Sequence, residues 1–222
     1  MILALETATN ICSVALENKA GDVFEKRTDA RNAHSEQLFL FIRGILDEHE
    51  ASFGDVSVVL VSEGPGSYTG LRIAASGTKG LLFGSDTPLY SVPTLASFAC
   101  AALEQKLAAT TIHAIIDARR VHVYHQKFNV SGNLLEATTE VDTIPIDSFE
   151  SMVRPGDIII GTGIERLEEK LVRKVHCLNE EFISARSLIQ LFHRQEADKF
   201  IKKISPARFD PQYYTSNQVQ NS

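Results

Sequence analysis

The sequence predicts an α/β protein made of two halves of like design, and three observations carry that expectation. Short aliphatic runs bounded by Gly, Pro, Asn and Ser alternate with stretches of helical periodicity, which implies a mainly parallel sheet covered by helices on both faces. The order β-β-β-α-β-α-β-α is spelled twice along the chain, although no repeat is visible residue by residue. A length of 222 residues at 44% hydrophobic composition is ample for one large core or two small ones.

Each element follows from its residues. Residues 2–6 and 11–17 are aliphatic and flank the polar turn Thr7-Ala8-Thr9-Asn10, so they predict a hairpin, with a third strand at 22–28 after Gly21. Asn32 or Ser35 is expected to cap a helix running to about residue 50. Residues 56–62 form a buried strand, and a helix starts at Ser67 or Thr69 and runs to 83. A short strand at 88–92 leads into a helix opened by Pro93-Thr94 and ending near 106. The second half predicts strands at 111–117, 121–128 and 134–143, a short helix at 146–152 and a buried strand at 157–160. A helix near 165–172, a strand near 174–178 and a long helix at 186–201 close the series. The two halves divide as residues 1–98 and 99–222. Two such sheets would leave a cleft walled by Thr7-Ala8-Thr9, residues 64–70, Asp117-Ala118-Arg119 and Gly161-Thr162-Gly163.

Bulk properties exclude several classes. No apolar run approaches the roughly 20 residues that cross a bilayer, and residues 1–5, with no basic segment before them and Glu6 after, predict a strand rather than a signal peptide. Cys12, Cys100 and Cys177 are odd in number and far apart, which points to reduced thiols and a cytosolic setting. Net charge is −6, with 12 Lys/Arg against 21 Asp/Glu up to residue 165 and 10 against 6 from 166 to 208. A chain this acidic over three quarters of its length is not expected to hold nucleic acid alone, because phosphate contacts are made mainly by Lys and Arg.

The strand, glycine turn and helix start around Glu63-Gly64-Pro65-Gly66-Ser67-Tyr68-Thr69-Gly70 could present backbone N–H groups to an anion. Glu63, however, sets a negative charge where phosphate would sit. The glycines are spaced too widely for a dinucleotide fingerprint, and no Gly-Lys-Ser/Thr follows them, which excludes a Walker loop. Ser67 lacks the second glycine of a nucleophile elbow, so Ser67 and Thr69 are expected as helix caps. No metal site is expected: His34 and Glu36 diverge on a helix, and His122 and His125 point to opposite faces of a strand.

The two helices of the first half are apolar beyond one stripe. Leu38, Ile42, Leu71 and Leu82 are expected to face their own sheet. Phe39 widens the apolar face of the first helix, Leu40 lies on its opposite side, and Gly70, Ala74, Gly77 and Leu81 form a mostly small seam on the second. Leu40, Ala74, Gly77 and Leu81 are candidates for contact with a partner.

These residues carry a resemblance. The segments Ile2-Leu3-Ala4-Leu5-Glu6-Thr7-Ala8-Thr9, Cys12-Ser13-Val14-Ala15-Leu16, His34-Ser35-Glu36 and Gly64-Pro65-Gly66-Ser67-Tyr68-Thr69-Gly70-Leu71-Arg72-Ile73 resemble the TsaB (YeaZ) family. Asp117-Ala118-Arg119-Arg120-Val121-His122-Val123-Tyr124 and Pro211-Gln212-Tyr213-Tyr214 are similar to two further segments of it. The likeness is dense to residue 125 and thin from 130 to 205.

The resemblance implies two actin-like, ribonuclease H-like domains of the actin/Hsp70/sugar-kinase fold around a central cleft. It implies a cytoplasmic, non-catalytic subunit in the synthesis of threonylcarbamoyladenosine at tRNA position 37, which pairs with TsaD, activates it and is joined by the ATPase TsaE. Contact with tRNA is expected only through that complex, and no cofactor is implied. Apart from the resemblance, a free-standing homodimeric, chaperone-like module is a further alternative, because the same exposed helices could pair with themselves when TsaD is absent. The partner surface carried onto this chain comprises Leu38, Phe39, Leu40, Ile42, Leu46, Gly70, Ile73, Ala74, Gly77 and Leu81. A vestigial phosphate loop comprises Thr7, Ala8, Thr9, Gly64, Gly66, Ser67, Thr69 and Asp117. Glu6 followed by Thr7-Ala8-Thr9 departs from the aspartate and glycine-threonine turn of active members of the fold. The H-x-x-x-H metal motif of the catalytic subunit is absent, since Leu38 stands four residues after His34. The rival expectation is a working phosphotransferase with Glu6, Thr7, Gly66 and Asp117 around Mg–ATP; a peptidase lacks any nucleophile–base or two-histidine arrangement.

Overall fold

The computed structural model describes residues 1–30 and 34–214; the expected cap Asn32 lies outside the described residues. The chain divides into two compact units: Met1–Thr94 with Ser184–Gln212, and Leu95–Ile183 with Tyr213 and Tyr214.

In the first unit the hairpin β1 (Ile2–Glu6) and β2 (Cys12–Glu17) continues antiparallel into β3 (Val23–Thr28). Helix α1 (His34–Glu48) then carries the chain back to β4 (Val58–Ser62), which pairs parallel with β1. Helix α2 (Tyr68–Leu81) crosses over to β5 (Leu89–Val92), parallel to β4. Leu3, Leu5, Val14, Leu16, Val59 and Val61 on one sheet face pack against Leu38, Ile42, Ile45 and Leu46 of α1 and Ala74 and Ala75 of α2. The α1 set falls at three- and four-residue spacing, so a single stripe of that helix is buried.

The second unit holds β6 (Thr111–Asp117), β7 (His122–Ser131), β8 (Leu134–Ala137), β9 (Asp142–Pro145), β10 (Ile158–Gly161) and β11 (His176–Leu178). Its helices are α3 (Thr94–Glu104), α4 (Ile146–Met152) and α5 (Glu169–Val172). Ile115, Val123, Phe149, Val153, Ile159, Ile164 and Leu167 form one of its cores. The sheet orders are β5-β4-β1-β2-β3 in the first unit, with β12 (Lys202–Ile204) added outside β5, and β11-β10-β6-β7-β8 in the second. With β9, which pairs antiparallel with β7, set aside and the other strands renumbered within each unit, both read 5-4-1-2-3, and the parallel and antiparallel pairings fall at the same places. The expected duplication of element order is therefore a duplication of topology, in an α/β arrangement of two units.

Three expectations are corrected. The units are not the contiguous halves 1–98 and 99–222, because residues 184–212 return to the first unit. Helix α6 (Arg186–Phe192) packs on β1, β2 and β4, where Ala4 and Ala15 share a sheet face with Ser13, and the Ala185 N–H donates to the Ser13 hydroxyl at 2.8 Å. The long helix at 186–201 stops at Phe192 and is followed by a strand, β12 (Lys202–Ile204), antiparallel to β5. The buried ion pair between Arg194 Nε and Glu196 Oε1, 2.7 Å apart, joins residues two apart in sequence, and such residues do not face each other on a helix. The strand at 134–143 is two strands, because the Lys127 N–H and carbonyl bond Thr139 and Thr138 between them.

Candidate functional site

The segment joining β4 to α2 folds down onto the turn after β1. Ser67 caps α2, its hydroxyl accepting from the Gly70 N–H at 3.3 Å, while its own N–H donates to the Ala8 carbonyl at 2.6 Å. The Thr7 hydroxyl donates to the Gly70 carbonyl at 2.9 Å. The two turns approach so closely that a Cβ on Gly66 would strike the Ala8 carbonyl and one on Gly70 the Thr7 carbonyl. Glycine at these two positions serves backbone-to-backbone contact.

Glu6, the last residue of β1, is fully buried. Its Oε1 accepts the Ala8 N–H at 2.6 Å and the Ser62 hydroxyl at 3.3 Å, while its Oε2 is buried without a hydrogen-bond partner. Burial pushes the carboxyl up to about 7, against the hydrogen bonds from Ala8 and Ser62 that favour ionisation. A phosphate held at such a turn needs free N–H groups and a positive field. Here the Ala8 N–H already faces a carboxylate, the Ser67 N–H a carbonyl, and the Ile11 N–H the Thr9 hydroxyl at 3.1 Å. These three donors are therefore not free for a phosphate.

Thr7, Ala8, Thr9, Gly64, Gly66, Ser67 and Thr69 thus all lie in the first unit, whereas Asp117 belongs to the second. Asp117 is paired with Arg166, its Oδ1 also accepts the Arg119 N–H at 2.8 Å, and its own N–H donates to the Thr162 hydroxyl at 2.9 Å. Glu63 is not the anion of the turn. Its side chain bonds Ser91 and feels Lys202, burial raises its pKa, and its carbonyl accepts the Gln212 N–H at 2.8 Å. His34 is a helix-start residue whose Nε2 lies 3.0 Å from the Thr9 carbonyl and 3.2 Å from that of Ile11. Among the described residues no group of three or more His, Cys, Asp or Glu could hold a metal ion.

The second feature is the groove between α1 and α2, of about 540 Å³, lined by Ser35, Phe39, Tyr68, Thr69, Arg72, Ile73, Ser76 and Gly77. Gly77 sets its depth, because a Cβ there would meet Phe39 Cζ at 3.2 Å and Leu38 Cδ2 at 3.5 Å. Of the ten residues expected at a partner surface, Leu38, Ile42, Leu46, Gly70, Ala74 and Gly77 are buried in their own unit, and Ile73 and Leu81 are half-buried. Phe39 (47% exposed) and Leu40 (60%) face outward. The sequence reading missed Tyr68, 55% exposed, and Arg72, whose guanidinium carbon lies 4.3 Å above the Tyr68 ring. Their four-residue spacing on a helix was the available signal.

Comparisons with known proteins identify the family. Residues 26–184 match the model of the family described as TsaD, tRNA N6-adenosine threonylcarbamoyltransferase. The tRNA threonylcarbamoyladenosine biosynthesis protein TsaB of Escherichia coli is 36% identical over 132 residues, covering 60% of this chain and 56% of that protein. The protein of the same name in Haemophilus influenzae is 36% identical over 123 residues, 55% of this chain and 51% of that one. The chain thus spans about half the length of these two relatives. The solved structure of YeaZ from Pseudomonas aeruginosa superposes with a TM-score of 0.79 at 27% identity, covering 96% of this chain and 98% of that one. The chain belongs to the TsaD family of tRNA N6-adenosine threonylcarbamoyltransferases and, within it, to the TsaB (YeaZ) group.

Proposed function

We propose that this chain is a non-catalytic subunit in the synthesis of tRNA threonylcarbamoyladenosine, which binds and activates the transferase TsaD through the groove between α1 and α2. One contact carries the non-catalytic part: the Glu6 carboxylate holds the Ala8 N–H at 2.6 Å, where a working phosphate turn keeps that donor free. The binding part is supported by Phe39, Leu40 and Tyr68, large side chains left exposed along two packed helices. Tyr and Arg, here Tyr68 and Arg72, are the residue types that dominate interface energies. TsaE joins the same assembly, tRNA is reached through the complex, and two copies of the chain pair when TsaD is missing. The setting is the cytoplasm; among the described residues no helix is long and apolar enough to cross a membrane.

Reconstitution tests the proposal. Purified TsaD and the remaining components modify tRNA poorly alone and well when this chain is added, whereas the isolated chain neither binds nor turns over ATP. Gly77→Arg, which fills the groove, abolishes co-elution with TsaD while the chain keeps its circular dichroism spectrum. Equal modification without the chain, or nucleotide turnover by the chain alone, would overturn the proposal, the latter in favour of a phosphotransferase.

A further inference from the structure

The second unit contains a buried polar chain that the proposed function does not use. His113 on β6 and His125 on β7 share a sheet face, His113 standing opposite Lys127 and His125 opposite Ile115. Both rings are buried, and Nδ1 of His113 lies 3.0 Å from Nε2 of His125. Nε2 of His113 lies 3.2 Å from Oδ2 of Asp157, in the turn before β10, and the same Oδ2 accepts the Arg154 N–H at 2.7 Å. The ring of Phe149 from α4 closes the site, 5.7 Å from His113 and 5.3 Å from His125.

The donors and acceptors fix the tautomers. An ionised carboxylate only accepts, so His113 donates from Nε2 to Asp157. A neutral His113 then presents a bare Nδ1, and His125 donates to it from Nε2. The proton order runs in one direction, from His125 through His113 to Asp157. One added proton can be absorbed: His113 becomes a cation beside Asp157, and His125 changes tautomer to accept. A second proton sets two N–H groups head to head at a 3.0 Å separation.

We propose that this His125–His113–Asp157 chain is an acid-sensitive fastener of the second unit, joining β6, β7 and the turn into β10, which takes up one proton and is broken by two. The surroundings supply little to offset a second charge. Lys127 on β7 repels both rings, and Asp142 on β9, opposite His125 in register, is exposed. On α4, Asp147 is exposed and Glu150 accepts the Glu168 N–H, while β10 contributes Ile158, Ile159 and Ile160. Burial lowers both imidazoles, His125 to about 3, with the charge of His113 as the next cause. A histidine held below its ordinary value contributes stability that is present above about pH 6.5 and is lost as pH falls toward the folded value.

The test uses the full chain. Long-range proton–nitrogen spectra at pH 7.5 should show both His113 and His125 as Nε2–H tautomers, with His125 still neutral at pH 5. Hydrogen exchange of the β6 and β7 amides, corrected for intrinsic chemistry, should then accelerate by about tenfold per pH unit below 6.5 for each imidazole kept neutral. His125→Gln, whose amide can still donate to His113, should remove one such factor and leave the β1 and β4 amides as they were. Titration of His125 near 6.5, or an identical acid response in the variant, would overturn the proposal. The wild-type tautomers decide the matter should the variant not fold.

Discussion

The turn after the first strand of each unit is built on the same device and used differently. In the first unit the Glu6 carboxylate accepts the N–H of Ala8, two residues on, and the Thr7 N–H approaches the Ser62 hydroxyl of the neighbouring parallel strand at 3.5 Å. In the second, the Asp117 carboxylate accepts the N–H of Arg119, again two residues on, and its own N–H donates to the Thr162 hydroxyl just past the neighbouring parallel strand. Asp117 has a cation, Arg166, whereas Glu6 is buried with no cation against it and one oxygen unsatisfied among the described residues. A carboxylate that closes its own turn is inexpensive when solvent and a guanidinium share its charge and costly when neither does. That such a cost is retained in the first unit fits the reading of its turn as a structural joint, on which the proposed role of the α1–α2 groove depends.

Substitutions can break or sharpen this contrast. The largest effect is expected for Gly70→Val, whose Cβ meets the Thr7 carbonyl; urea unfolding should show a loss of about 3 kcal/mol or more. Next is Glu6→Gln. Because the folded carboxyl is raised to about 7 from 4.5, the wild type loses stability as pH rises from about 4.5 to 7, where only the unfolded chain gives up the proton. Removing the titration should flatten that slope by up to ~3 kcal/mol across the interval, as seen in denaturation curves at several pH values. Phe39→Asp should weaken binding to TsaD by at least ~10-fold, or about 1.4 kcal/mol, with little change in the melting temperature of the isolated chain, since Phe39 is half exposed. The smallest effect is expected for Arg166→Met. Its pair with Asp117 is partly solvated, and calorimetry should register a loss of about 1 kcal/mol or less.

Much of the fold was legible in the sequence because periodicity reports burial. The strand at 58–62 and the helix stripe at Leu38, Ile42, Ile45 and Leu46 are set by local spacing. The fate of residues 184–212 was not legible, since α6 is apolar enough to suit either unit, and its place rests on Ala4, Ala15 and Ser13, far away in sequence. At the candidate site the spacing showed that Gly66 and Gly70 mark a close approach, but not which atoms they approach. Glu63 looked like the misplaced anion because it lies beside the glycines. Glu6 holds that place instead, through a hydrogen bond two residues long that no pattern of residue types announces. For the helices, spacing separated inward Leu38 from outward Leu40, while the exposure of Tyr68 and the burial of Gly70, Ala74 and Gly77 in their own unit needed coordinates.

The return of β12 to the outer edge of β5 has a consequence for how the chain is made. During synthesis, β1 to β5 leave the ribosome long before residues 184–212, so the nascent first unit waits with β5 uncovered and with the sheet face around Ala4 and Ala15 bare. The second unit, whose sheet is contiguous between residues 111 and 178, can settle meanwhile. Maturation of the first unit is therefore gated by the arrival of its C-terminal segment, and a chain cut short before Ser184 would expose a sticky strand to its neighbours in the cell.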